Sequence, residues 1–196
     1  MRYRYANEAD VPALAALFAA NHRDALTEEQ RAAHGFVQGG FGEAALRDMA
    51  RAGELLVADA DADAGPGRVA GLLALSVARD MGDPPPPVLG LLRAQDVLLW
   101  RGRPLGGVPW LLYGPVVVDG AFRGHGVARG LFARAVEEAA GRAELLVAFI
   151  EDGNLPSWRV HVEAFGMLPL GTYEVAGRTY TAVAAEVQAP APPAHT

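Results

Sequence analysis

The chain has 196 residues, 51% of them hydrophobic, and a formal net charge of −6. Its 17 basic residues are all arginine, and it has neither lysine nor cysteine. These two zeros exclude a P-loop lysine, Schiff-base catalysis, a thiol nucleophile, a CxxC redox pair, a thiolate zinc site and any disulfide.

The opening RYRYA alternates polar and aromatic residues and predicts a short strand. Asp10 is placed to cap a helix that has Pro12 in its first turn and Val11, Leu14 and Phe18 at helical spacing. A second helical stretch runs from Phe41 to Ala52 and stops at Gly53. ELLVA (54–58) and RVAGLLALSVA (68–78) read as buried strands, joined by DADADAGPG, whose residue types favour a turn. Residues 82–109 form an insertion. GDPPPP reads as a stiff, non-helical tether, VLGLLRAQDVLLW has helical character, and RGRPLGGVP suits a hairpin or loop.

WLLYGPVVV (110–118) is the next strand, and an amphipathic helix from Gly126 to Ala140 puts Val127, Leu131, Ala135 and Ala139 on one stripe. ELLVAFI (144–150) is almost continuously apolar, as expected of a strand covered on both faces. A helix over Asn154–Phe165 accepts Pro156 in its first turn. A hairpin through Ala176-Gly177 ends the ordered chain, and the proline-rich residues 188–196 are expected to be a disordered tail. The fold class is α+β (mixed α/β), a single domain over 1–187, burying roughly 70% of its unfolded surface.

The acidic balance argues against a nucleic-acid partner. No run of 18 apolar residues is present to span a membrane, and no apolar leader follows Met1. A soluble cytoplasmic protein is the expectation, with a homodimer left open. No histidine pair or acidic cluster has metal-ligand spacing, so no metal is expected.

The chemistry is concentrated in VVVDGAFRGHGVARGLF, residues 116–132. An apolar strand enters a turn with two glycines, and a helix begins at once. Gly124 and Gly126 let the backbone approach a ligand closely. The first amides of the helix lack intrahelical acceptors and carry its positive dipole end, so a pyrophosphate suits the site. A tight packing turn is the alternative. A Rossmann fingerprint fails, because its third glycine would fall where Arg129 stands.

Arg123-Gly124-His125-Gly126-Val127-Ala128 resembles the [QR]-x-x-G-x-[GA] signature of the GNAT superfamily of acyl-CoA-dependent N-acyltransferases. Asn154, Ser157, His161 and Gly166-Met167 resemble its second motif, although Gly166 lies one position later than the pattern expects from Asn154. The resemblance implies a central, mostly antiparallel sheet of about seven strands, with helices on both faces. It implies that acetyl-CoA binds where strands 112–118 and 144–150 splay apart, a distortion that Gly114-Pro115 would favour. Cofactor contacts are then expected from Val116, Val117 and Val118, from the loop Arg123, Gly124, His125, Gly126, Val127, Ala128 and Arg129, and from Asn154 and Ser157.

The implied activity is transfer of an acetyl group to a primary amine of a small molecule or peptide. His161 falls where many members carry the tyrosine that protonates the leaving thiolate, so it is the expected acid, and Glu151 is the candidate base. The acceptor is expected near Phe36–Phe41, the 84–109 insertion with Trp100 and Trp110, and Tyr173 or Tyr180. The alternative is a non-catalytic acyl-CoA-binding module on the same fold.

Overall fold

The computed structural model describes residues 1–39, 41–60 and 68–187. Residues 61–67 of the expected turn DADADAGPG and the expected tail at 188–196 lie outside the described residues.

The N-terminal half builds one wall of the site. Strand β1 (Arg2–Tyr5) precedes a short 3₁₀ turn and helix α1 (Val11–Ala20). The Asp10 side chain does not cap α1. Its carboxylate accepts from Arg4 Nη1 at 2.7 Å, Arg4 Nη2 at 2.9 Å and the Asn7 amide at 2.8 Å, because the 3₁₀ turn folds it back toward β1. Helix α2 (Glu28–His34) is absent from the sequence-based outline, and helix α3 (Glu43–Arg51) ends before Gly53, whose φ is +69°. None of the α2 residues is buried, so α2 has no apolar stripe to betray it. It is specified instead by a capping box, in which Thr27 and Gln30 exchange side-chain and backbone hydrogen bonds.

Strands β2 (Leu55–Asp59) and β3 (Val69–Ser76) follow. In the insertion, Pro86 and Pro87 do not tether; they open helix α4 (Pro86–Ala94). Proline is tolerated in a first turn because those N–H groups have no intrahelical acceptor. The two-residue strands β4 (Leu99–Trp100) and β5 (Arg103–Pro104) make a separate small hairpin.

Strand β6 (Trp110–Val118), helix α5 (Val127–Ala139), strand β7 (Leu145–Glu151), helix α6 (Leu155–Trp158) and the hairpin β8 (Leu168–Val175)–β9 (Arg178–Glu186) complete the chain. The sheet order is β1-β2-β3-β6-β7-β9-β8, antiparallel except for the parallel pair β6–β7.

Period-two alternation divides the strands between two faces. Leu146, Ala148 and Ile150 of β7 face the core under α5, while Leu145 and Val147 face the one under α4. Helices α1 and α3 cover the same side as α4, over β2 and β3. Val127, Leu131, Ala135 and Ala139 of α5 are all buried against the sheet. Burying a leucine such as Leu131 contributes about 1.5–3 kcal/mol, and the stripe thereby fixes how the N-terminus of α5 meets the end of β6.

Candidate active site

Strands β6 and β7 pair for three residues only, Trp110↔Leu145, Leu111↔Leu146 and Leu112↔Val147. Beyond Leu112 they diverge, while β6 stays paired to β3 on its other side. Between Leu75↔Tyr113 and Leu73↔Val116 the register slips, so two β6 residues, Gly114 and Pro115, oppose one on β3. Pro115 has no ladder donor, and Gly114 adopts a φ of +114° that favours glycine. The local sequence thus opens the sheet.

Two cavities occupy the gap, of about 500 Å³ and about 320 Å³. Phe36, Val37, Val116, Ser157 and His161 line both, so the cavities meet at this point.

The larger cavity runs along Val116, Val117 and Val118 to the loop of Arg123, Gly124 and Gly126 and the start of α5 at Val127, Ala128 and Arg129. Gly126 is the N-cap of α5 with φ +77°, and no side chain caps the helix. A Cβ built on Gly124 or Gly126 would meet nothing within 4 Å, so a ligand can approach the loop backbone. Arg123 Nη2 donates to Asn21 Oδ1 at 2.7 Å, and the Arg129 guanidinium lies 5.9 Å from the Phe165 ring centroid. No Asp or Glu lines this cavity among the described residues. Uncapped amides, two guanidiniums and no carboxylate are a donor set suited to a diphosphate.

Two of the expected cofactor residues, His125 and Asn154, do not line the larger cavity. His125 is exposed, with its Nδ1 2.9 Å from the Arg123 carbonyl oxygen, and lines neither cavity. Asn154, 6% exposed, lines the smaller cavity, and both of its polar atoms are engaged. Nδ2 donates to the Phe36 carbonyl at 3.2 Å, and Oδ1 accepts from the Ser157 amide at 3.4 Å. Asn154 therefore braces the Phe36 segment against the start of α6.

After α6 the chain continues as a π-helical turn, Arg159–Ala164, which contains His161. A π turn accommodates one more residue than an α turn. It absorbs the extra position by which Gly166 trails Asn154. The His161 ring lies edge-on to Tyr113 and Phe165, with centroids 5.6 and 5.8 Å away. Its Nδ1 lies 2.8 Å from the Ser157 carbonyl oxygen and 3.2 Å from Ser157 Oγ. Desolvation pushes the His161 pKa below the ordinary histidine value, outweighing the opposing bond to Ser157.

The smaller cavity is walled by Phe36, Phe41, Met49, Met81, Phe149 and Tyr180. Trp100, Trp110 and Tyr173 belong instead to the core under α4, and the Tyr173 hydroxyl donates to the Pro87 carbonyl at 2.9 Å. Two buried hydroxyls on the cavity wall, Tyr113 (2% exposed) and Ser76, have no protein partner among the described residues. Burial pushes the Tyr113 phenol pKa well up, so it remains a neutral hydroxyl.

The Glu151 side chain is 9% exposed and carries a cluster. It accepts from Arg23 and Gln38, and from Arg178 Nη1 at 3.3 and 3.4 Å. The Tyr180 hydroxyl donates to Gln38 Oε1 at 3.0 Å, and Arg23 also stacks on Phe36, 4.9 Å from the ring centroid. Sequence reading misses Arg23, Tyr113 and Ser76 as site residues; Gln38 lies in the expected Phe36–Phe41 segment, but its bond to Glu151 is not foreseen. Arg23 and Gln38 stand 128 and 113 positions from Glu151, so no local pattern links them. Among the described residues no cluster of three metal-ligating side chains occurs, and no helix is long and apolar enough to cross a membrane.

The profile of the acetyltransferase (GNAT) family matches residues 22–167. No curated protein matches the chain in sequence. Among solved structures, yncA from Salmonella typhimurium with its cofactor acetyl-CoA is similar at a TM-score of 0.62 and 18% identity, over 98% of this chain and 97% of that one. Ribosomal-protein-alanine N-acetyltransferase from Brucella melitensis is similar at 0.60 and 23% identity, over 95% and 99%. Arabidopsis thaliana NAA60 in complex with acetyl-CoA is similar at 0.62 and 12% identity, over 95% and 98%. The splayed parallel pair with a glycine loop at a helix start defines an acyltransferase fold. The chain belongs to the GNAT acetyltransferase family.

Proposed function

We propose that the protein transfers the acetyl group of acetyl-CoA to a primary amine of a small molecule or peptide, by direct attack in a ternary complex. The observation that carries this reading is the meeting of the two cavities at Val116, Ser157 and His161. A diphosphate-binding groove on one side and an apolar chamber on the other let donor and acceptor reach one point from opposite directions.

The donor thioester supplies an acyl carbon: the amine C–N bond forms, the C–S bond breaks, and the sulfur leaves as a thiol after taking up one amine proton. Backbone of Val116–Val118 holds the pantetheine arm, and amides between Gly124 and Arg129 hold the diphosphate, with Arg123 and Arg129 supplying positive charge. An alkylammonium with a pKa near 10.4 must first lose a proton, which costs roughly 4 kcal/mol at pH 7.4. A base at the junction then takes the proton that the amine sheds as it attacks.

His161 suits that role better than the acid role expected from its position in the motif. A carbonyl oxygen only accepts, so the bond to Ser157 puts the ring proton on Nδ1 and leaves Nε2 as an acceptor. Desolvation keeps the ring neutral. In its resting neutral form the ring can take a proton at Nε2 from the attacking amine, and it holds none there to give a thiolate. Glu151 has both oxygens engaged by Arg23, Gln38 and Arg178, so it sets the charge of the acceptor chamber.

The test pairs melting with turnover. Acetyl-CoA at about 1 mM should raise the melting temperature, because it binds the folded state alone. An amine panel should then release CoA thiol. A melting shift without thiol release from any amine would leave only the acyl-CoA-binding reading.

A further inference from the structure

Building on the acetyl-transfer reading, we infer that the acceptor is a primary amine carrying an apolar or aromatic body and a carboxylate, and that the carboxylate pairs with Arg178, whose partner Glu151 is also held by Arg23.

The body follows from the chamber. Phe36, Phe41, Met49, Met81 and Phe149 present rings and thioether chains to a cavity of about 320 Å³, which an unbranched polar amine would fill poorly.

The carboxylate follows from a charge count. Glu151 and Arg178 line the chamber, no other Asp or Glu does so among the described residues, and Arg23 sits on the same Glu151 carboxylate. Two guanidiniums against one carboxylate leave one positive charge (2 − 1 = +1). A guanidinium has five N–H donors. The bonds to Glu151 use only Nη1 of each arginine, and Nε and Nη2 of both stay outside the cluster's hydrogen bonds among the described residues. These are the atoms with which arginine grips a carboxylate in bidentate fashion. Arg178 is 42% exposed on its side chain, so it is reachable by an incoming ligand, whereas Glu151 beneath it is not.

The same count disfavours an amine without an acid group. Its ammonium would lie beside a cluster that already carries a surplus cation, at the wall of an otherwise apolar chamber. A carboxylate on the acceptor offsets that charge and leaves the amine free to lie toward His161.

The experiment compares amines matched in body and differing in the acid. Phenylalanine is set against phenylalaninamide and phenethylamine, and 6-aminohexanoate against hexylamine. Binding is read as a melting shift in the presence of CoA, and turnover as thiol release. Each acid should bind about tenfold more tightly than its neutral partner, a difference of about 1.4 kcal/mol. Arg178→Gln should reduce that preference to below about threefold while the shift given by acetyl-CoA stays as in the wild type. Glu151→Gln, which removes the internal competitor, should increase the preference. Neutral amines that bind as well as the acids, or an Arg178→Gln variant that keeps the full preference, would overturn the inference. Absence of turnover with every amine would overturn the transfer reading alone, because the acid preference is read from melting and needs no chemistry.

Discussion

His161 Nδ1 lies 2.8 Å from the carbonyl oxygen of Ser157, four residues earlier in the chain. That one contact fixes which ring nitrogen carries the proton, and a lowered pKa keeps the other nitrogen unprotonated near neutral pH. It decides the direction in which this histidine can move a proton.

The pH profile checks that direction. A base must be neutral to act, so activity through His161 is retained above its lowered pKa and lost only as pH falls through it. An acid at the same position would lose activity as pH rises through a value below 6.5, leaving an enzyme that is idle at neutrality. Turnover at saturating substrates should therefore be maintained from pH 7 to 8.5. His161→Asn should cut it by about 10²–10⁴-fold. A profile that falls between pH 5.5 and 7 would restore the acid role.

Arg4 and Asp10 give a stability prediction. Asp10 is 4% exposed. Desolvation raises its pKa, but the Arg4 bonds and the Asn7 amide outweigh it, and the net direction is down. A carboxyl whose folded pKa is depressed contributes stability above its unfolded value of about 3.9, and that contribution is lost as pH falls through the lower folded value. Arg4→Met strands the buried carboxylate and should cost about 3–5 kcal/mol at pH 7, with Arg4→Met/Asp10→Asn recovering part of the loss. Denaturant unfolding measures both. A loss under 1 kcal/mol in the single variant would show that Asp10 is not held by Arg4.

Gly126 separates loop chemistry from loop packing. Its φ of +77° strains any other residue, and a side chain there would project into open space over the loop. Gly126→Val should lower stability by about 1–3 kcal/mol, preserve the far-UV circular dichroism spectrum and abolish the melting shift given by acetyl-CoA. Gly126→Ala should weaken that shift less. Retained affinity in the valine variant would mean that the loop only packs.

Tyr113 offers a hydroxyl without a protein partner among the described residues. Removing it breaks no protein hydrogen bond, so Tyr113→Phe should leave stability within about 1 kcal/mol of the wild type, or raise it. Urea unfolding measures this. A loss above 2 kcal/mol would reveal a strong partner for the phenol, such as an ordered water.

Much of the fold is legible in the sequence wherever burial imposes a period. Strand β6 begins and ends where WLLYGPVVV does, and the α5 stripe is the one its spacing predicts. Helix α2 and the proline-initiated α4 are not legible this way. One buries nothing, and the other begins in residues that also suit an extended tether. The glycine loop of the groove could be read because its chemistry depends on consecutive backbone positions. Of the acceptor chamber, the Phe36–Phe41 segment and Tyr180 could be placed, but not the cluster of Arg23, Gln38 and Arg178 on Glu151, because it joins residues far apart in the chain.

By itself, the sequence determined the strand–loop–helix unit at 110–139, the absence of any thiol or lysine chemistry, and the identity of His161 as the titratable group of the second motif. Only the tertiary structure decided which nitrogen of His161 meets the Ser157 carbonyl, that Asn154 braces the Phe36 segment, and that Glu151 sits beneath two arginines. The reason is physical. Backbone amides at a helix start are set by local chain geometry, whereas the charge and hydrogen-bond state of a side chain depend on what packing brings against it from the rest of the molecule.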